Sequence, residues 1–370
     1  MRFLDGKIIF RSSVEEGIIE FDDQIRMITP FSGVSDRYIL PGFIDAHVHG
    51  GDGADMMDGV DALKHMARFH LRHGTTTILP TTITRPWEDI KSALQAVSLV
   101  ISRGIEGGPH IHGVHLEGPF ISPHRLGAQP AFALEPTPER LAEILAYGCV
   151  RVVTMAPELL HAETAMKEFA KAGVRVSIGH TRASYEQTER SLCLVCQKGG
   201  TVGATHLFNA MQALYGREPG PVGAFLCEDA AYAEMIFDTH HVHPANFRLA
   251  SKIMKNRLLF VTDAMRGAGQ KEGISTLGGQ EVMIRDGVVR LPDGTLAGSV
   301  LTLDQAFRNA VNYGASLPTA SRLVSTNAAR YLGLSDRGEI SEGRLADFVV
   351  MDSNLDVKEV WVKGVRCYQA

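Results

Sequence analysis

The middle of the chain alternates between short apolar runs and longer stretches whose apolar residues recur at helical spacing. The strand candidates are FIDAHVH (43–49), TTTILPT (75–81), HIHGVHLE (110–117) and RVVTMAPE (151–158). They continue with VRVSIGH (174–180), VGATHLF (202–208), AEMIFDTHHV (233–242) and LLFVTDAM (258–265). Between many of them lie amphipathic segments such as VDALKHMARFHLRHG (60–74) and PWEDIKSALQAVSLVISRG (86–104). Alternating strand and helix predicts a parallel sheet, and eight units predict its closure into a (β/α)8 TIM barrel. An open doubly wound sheet is the rival α/β arrangement.

Both ends of the chain have a different pattern. Residues 1–41 carry short alternating runs, KIIFR and GIIEFDDQIRMI, broken by Gly and Asp. Residues 344–370 repeat the style with RLADFVVMD and VKEVWVKGVRCY, turning at Gly364. The two ends are expected to pair as a small β-sandwich domain, 1–41 with 340–370, around an inserted barrel of 42–339. After the last barrel strand comes a Gly-rich RGAGQKEG, then EVMIRDGVVRLPDGTLAG with RDG and PDG turn signals. That segment predicts a hairpin over the top of the barrel, followed by helices at about 302–314 and 318–332.

Composition narrows the function without naming it. The 370 residues suit a barrel plus an appendage, and 45% hydrophobic with 21% charged residues is ordinary for a buried-core protein. A net charge of −5 with no long Lys/Arg run gives no case for nucleic acid as a partner. No run of about 20 apolar residues predicts a membrane span, and the charged start MRFLDGKIIFRSS lacks a leader's apolar core, so a cytoplasmic protein is expected. Five cysteines form an odd, sparse set without a disulfide pattern, and Cys193 and Cys196, a CxxC within a helical stretch, are read as buried thiols.

The polar residues are informative by position. In a barrel, chemistry sits where strands end and the following loops begin. The candidate strands deliver His47, His49, Glu117, His180, His206 and Asp263 at or near such ends. His47 and His49 lie two apart on a strand, so both rings share a face; alone they suit a chelating pair or two partly buried histidines. In HIHGVHLE, His115 shares parity with Glu117, whereas His110 and His112 face the other way. Carboxylate and imidazole ligands suit Zn²⁺ and neighbouring divalent ions, and three protein ligands leave a position for water. A bound ion lowers that water's pKa toward about 7. Asp263 is then the candidate to take and return a proton.

PGFIDAHVHG, HLEGPF, IGHT, THLFNAM, GREPG, VTDAM and LAGS, in this order, resemble the amidohydrolase superfamily. Within it they resemble the N-acetylglucosamine-6-phosphate deacetylase family, over nearly the whole chain. The resemblance implies hydrolysis of the acetamido group of an amino-sugar phosphate to the free amine and acetate. It implies a principal metal on Glu117, His180 and His206, with His47 and His49 able to add a second, and Asp263 as general base and then acid. Zn²⁺ is the expected ion, with Fe²⁺, Co²⁺ and Mn²⁺ also suited to these ligands. For the substrate it implies Asn209, Ala210, Arg217, His241, Leu296, Ala297 and Gly298, and a homodimer in which the partner subunit helps bind phosphate.

This chain departs from the family in two places. HRLGAQ stands where the family commonly reads KGAH, so Ala128 is kept and Gln129 replaces a histidine. FDTHHVH replaces the usual DGxH, which leaves His240 and His243 as neighbours of the matched His241. The expected substrate is N-acetyl-D-glucosamine 6-phosphate. The galactosamine epimer or another N-acyl amino sugar is the alternative, and a barrel that binds without catalysis is a remote one.

Overall fold

The computed structural model describes residues 1–33 and 35–370. Eight parallel strands succeed one another in chain order around a (β/α)8 barrel: β1 (Phe43–Val48), β2 (Thr75–Thr82), β3 (Val114–Glu117) and β4 (Val150–Met155) form its first half. The second half is β5 (Arg175–Ile178), β6 (Val202–Ala204), β7 (Tyr232–Met235) and β8 (Leu258–Phe260). Nearly every strand residue is buried, because the barrel interior covers one face and helices cover the other. The helices Val60–Arg72, Trp87–Arg103, Pro138–Ala146, Ala162–Lys171, Tyr185–Gln197, Gly220–Cys227, Pro244–Met254 and Leu303–Asn312 supply that cover. Ser184 and Gln187 start the fifth with a reciprocal capping box.

Closure of the ring depends on residues beyond the end of β8. The Asp263 amide donates to the His47 carbonyl at 2.8 Å, and the His49 and Gly50 amides donate to Ala264 O at 2.9 and 2.8 Å. Beneath them the buried Thr262 hydroxyl donates to Asp45 Oδ2 at 2.6 Å. The seam between the last and first strands therefore runs through the segment that carries Asp263.

The strands are shorter than the apolar runs that predict them. The run 174–180 is strand only over Arg175–Ile178, and 258–265 only over Leu258–Phe260. HIHGVHLE splits into His110–Ile111 and β3, each beside β2. The expected hairpin over the barrel is a three-stranded antiparallel sheet, Gly273–Leu277, Gln280–Arg285 and Val288–Arg290. Its first strand, GISTL, lies in sequence too polar to have been read as one.

Strands from both termini form one seven-stranded sheet in which Phe348–Met351 pairs with Tyr38–Pro41. Phe21 and Trp361 lie four strands apart in it, yet their rings meet edge to face at 5.4 Å. With strands about 4.8 Å apart a flat sheet would separate them several-fold further, so the sheet curls into a sandwich around its own core of Leu4, Ile8, Phe21, Ile25, Ile39 and Phe348. Cys193 is exposed and Cys196 half-buried, which corrects the expectation of buried thiols: Cys193 lies off the barrel-facing stripe of their helix and Cys196 at its edge, packed against the core. Among the described residues no helix is long and apolar enough to cross a membrane.

Replacing Thr262 with Val keeps the volume but leaves the buried Asp45 carboxylate without its hydroxyl donor at the seam. Thr262→Val should lower unfolding stability by about 1–3 kcal/mol, read from urea denaturation. An unchanged midpoint would remove this bond from the closure.

Candidate metal centre and substrate cavity

The chain bends sharply where the candidate ligands stand. His47 is within β1 and His49 one residue past it, and Glu117 is the last residue of β3. His180, His206 and Asp263 follow β5, β6 and β8 by two or three residues, with φ of +46°, +33° and +48°. This left-handed region costs a non-glycine residue of the order of 1–3 kcal/mol, and its use three times around one barrel mouth marks a functional constraint. The turn swings each side chain from the barrel wall toward the axis.

Two groups of donor atoms result, and Glu117 belongs to both. Its Oε1 lies 3.2 Å from His180 Nε2 and 3.1 Å from His206 Nε2, and those two nitrogens are 3.1 Å apart. Its Oε2 lies 3.2 Å from His49 Nε2 and 3.5 Å from His47 Nε2. Asp263 Oδ1 completes the second group, 3.0 Å from His49 Nε2 and 3.5 Å from His47 Nε2. All six side chains are buried.

The outer nitrogens of three rings fix which inner nitrogens are bare. His180 Nδ1 donates to Arg125 O at 2.9 Å, His49 Nδ1 to Thr81 O at 3.0 Å and His47 Nδ1 to a Glu234 carboxylate oxygen at 3.0 Å. Neutral His47 and His49 therefore aim lone pairs at each other across 3.3 Å and at two carboxylate oxygens. Such a set is repulsive unless positive charge sits within it. Although burial pulls His49 down, its bonds to Asp263 and Glu117 push it up to about 9. Burial likewise opposes ionisation of Asp263, yet His47 and His49 hold it near 2. A divalent cation satisfies the same demand with neutral imidazoles, so the residues present fit one: Glu117, His180 and His206 form one candidate set, and His47, His49 and Asp263 another.

A layer of buried groups holds these ligands. Glu234, on β7, bonds His47 and also accepts from the His206 amide at 3.4 Å. It was not singled out from the sequence, where it is one polar residue in an apolar run; its parity relative to the barrel interior was the available signal. His115, which shares the face of Glu117, lies under the His47 ring at 4.5 Å between centroids, tied to Ala46 O and Thr154 Oγ1. Gln129 accepts from the Thr84 amide at 2.7 Å and donates to Glu117 Oε2 at 2.6 Å, so its amide is oriented toward the ligands. Gly118 is required beside them: its φ is +74° and a Cβ would fall 2.0 Å from Thr84 Oγ1.

A cavity of about 550 Å³ opens over the donors, within the range of small-molecule sites. Ala128, Gln129, Asn209, Ala210, His241, Leu296 and Gly298 line it together with His49, Glu117, His180, His206 and Asp263. The LAGS segment reaches it because the Ser299 amide donates to Asp263 O at 2.8 Å and the Met265 amide returns to Ser299 O. His241 Nδ1 bonds Asp238 at 2.6 Å; burial opposes the charged imidazole, but Asp238 raises its pKa above the usual value. Of its neighbours, His240 is exposed and His243 caps the helix Pro244–Met254. Two expected contacts lie elsewhere. Ala297 is fully buried in the small core under the inserted sheet, because its neighbours Leu296 and Gly298 take the cavity side. Arg217 is exposed on the 212–218 loop and does not line the cavity of its own chain.

A barrel whose rim buries two carboxylates and four imidazoles beneath an open cavity is the architecture of a metal-assisted hydrolase. The profile of the amidohydrolase family matches residues 38–367, and the chain belongs to that family. It is similar to N-acetylgalactosamine-6-phosphate deacetylase of Escherichia coli O157:H7, at 36% identity over 98% of this chain and 93% of that protein. It is also similar to N-acetylglucosamine-6-phosphate deacetylase of Vibrio furnissii, at 35% identity over 90% of this chain and 83% of that one. A solved structure of N-acetyl-D-glucosamine-6-phosphate deacetylase from Mycobacterium smegmatis, in complex with N-acetyl-D-glucosamine-6-phosphate, superposes with a TM-score of 0.92 at 32% identity, covering 99% of both chains.

If Glu234 orients His47 for a cation, Glu234→Gln should weaken binding of Zn²⁺ to the metal-stripped protein about 10- to 100-fold by equilibrium dialysis. Unaltered affinity would assign Glu234 to packing alone.

Proposed function

We propose that this chain hydrolyses the acetamido group of N-acetyl-D-glucosamine 6-phosphate to glucosamine 6-phosphate and acetate. The observation that carries this is Glu117 divided between two imidazole groups, with Asp263 beside them, at the floor of a small-molecule cavity. Similarity to deacetylases of two N-acetylhexosamine phosphates over nearly the full length supports the substrate class.

Glu117, His180 and His206 hold the principal ion, and His47 and His49 hold a second where one binds. Zn²⁺ is the proposed metal, with Fe²⁺, Co²⁺ and Mn²⁺ suited to the same donors. When bound, a divalent ion supplies Lewis-acid polarisation of the amide carbonyl and a more acidic water. Asp263, whose Oδ1 lies at the cavity floor 3.0 Å from His49 Nε2, takes a proton from the attacking water as the water oxygen bonds the acetyl carbon. The C–N bond then breaks and Asp263 returns the proton to the leaving nitrogen. Burial of the floor keeps bulk water from competing for that proton. Asn209, Ala210, Leu296 and Gly298 shape the sugar pocket, with Ala297 fixing the course of that segment, while Ala128 and Gln129 border the acyl end. His241, whose protonated form Asp238 favours, faces the phosphate.

Arg217 lies outside its own cavity, so in this function it serves the phosphate of a partner subunit, which makes the protein a homodimer. The protein is cytoplasmic, where a phosphorylated sugar is available. The domain division, 1–41 with 340–370 against 42–339, is supported by the separate cores of the two regions.

The galactosamine epimer is the second reading, favoured by the similarity covering 98% of this chain. Steady-state assays with both 6-phosphates should give the higher kcat/KM with the gluco substrate; a tenfold preference for the galacto epimer would reverse the assignment. Asp263→Asn should lower kcat by about 10²- to 10⁴-fold on the preferred substrate while the metal stays bound. Undiminished turnover would remove Asp263 from the chemistry.

A further inference from the structure

The inserted three-stranded sheet brings to the cavity a cation that neither the motifs nor the proposed partner contact supplies. Arg290 ends the third of these strands, and it lines the cavity together with Gly294, Thr295 and Leu296 of the turn that follows. A bridge between Arg290 and Leu296 fixes its register against the LAGS segment. Its Nη1 donates to Gly294 O at 2.7 Å, which anchors one edge of the guanidinium and leaves the other edge free. Among the described residues no carboxylate pairs with it. The nearest acid in sequence, Asp293, instead accepts from the Thr295 amide at 2.9 Å. Arg290 and His241 line the same cavity, and the charge of Arg290 opposes protonation of His241.

Asp238 pairs with His241, but among the described residues the Arg290 guanidinium has no carboxylate partner, so both groups offer N–H donors to a cavity that carries uncompensated positive charge. They are stabilised by an anion that accepts from both, and a phosphate monoester offers three oxygens for a guanidinium edge and an imidazolium. We infer that Arg290 is a specificity residue that reads the substrate's phosphate from within the same chain, beside His241 and independently of Arg217. This rests on the phosphorylated-sugar function proposed above. The inserted sheet then links two tasks, since one segment carries Arg290 to the phosphate and continues through Leu296–Ser299 to Asp263.

The test compares wild type, Arg290→Ala and Arg290→Lys on N-acetyl-D-glucosamine 6-phosphate and on unphosphorylated N-acetyl-D-glucosamine. The expected result is a KM for the phosphorylated sugar raised about 10- to 100-fold in Arg290→Ala, with the unphosphorylated sugar unaffected and partial recovery in Arg290→Lys. Inorganic phosphate should inhibit wild type and lose potency in Arg290→Ala by a similar factor. If wild type prefers the phosphorylated sugar and Arg290→Ala keeps that preference in full, Arg290 does not read phosphate although the proposed substrate stands. Equal losses on both sugars also overturn the inference, since they mark a structural defect. A wild type that handles both sugars equally sinks the phosphorylated-substrate function, and this inference with it.

Discussion

Glu117 must serve two groups of imidazoles at once, and much of the molecule follows from that constraint. Its two oxygens face different pairs of histidines, and the bare nitrogens of His47, His49 and His180 compete with those oxygens for positive charge. Buried donors of this kind are stable only when a cation joins them or when protons are taken up, at a desolvation cost in either case. The surrounding residues reduce the freedom to choose. Thr81, Arg125 and Glu234 each hold the outer nitrogen of a ring, so lone pairs point inward, and Gln129 donates to the second oxygen of Glu117.

The barrel supplies the rigidity that this arrangement needs. The candidate donors stand in or within three residues of β1, β3, β5, β6 and β8, so the barrel wall fixes the roots of all of them. The seam between the last and first strands passes through Asp263 and His47, which couples the closure of the fold to the geometry of the proposed proton-transfer group. Left-handed backbone at His180, His206 and Asp263 is tolerated because the neighbouring amides are engaged, for example Thr181 to Ala210 O and Thr205 to Ile178 O. The inserted sheet adds the roof, stitched to the floor through Ser299.

The fold was legible where periodicity is strong. Eight apolar runs correspond to eight strands, and the terminal strands unite in one sheet, because burial on both faces or on one face leaves a clear pattern in the sequence. Strand ends were overextended because His180, His206 and Asp263 continue a plausible alternation while their backbone turns left-handed, which side-chain pattern does not encode. GISTL was missed because its strand is half exposed and pairs only with its own insertion. The donor residues could be collected from strand ends and motifs, and the structure brings them together. Glu234 and Arg290 escaped for opposite reasons: one is a buried carboxylate inside an apolar run, the other an exposed arginine at a turn. Arg217 carries its motif but is exposed and does not line the cavity of its own chain, and a motif does not state where its loop folds.

The central claim, that the shared donor set around Glu117 exists to hold a divalent ion required for hydrolysis, is tested most directly on metal-stripped protein. Protein dialysed against a strong chelator and verified by elemental analysis should be folded but inactive on N-acetyl-D-glucosamine 6-phosphate. Stepwise return of Zn²⁺ should restore activity in proportion to ions bound per chain, and Glu117→Gln should neither retain the ion nor recover. Full turnover by verified metal-free protein would contradict the account.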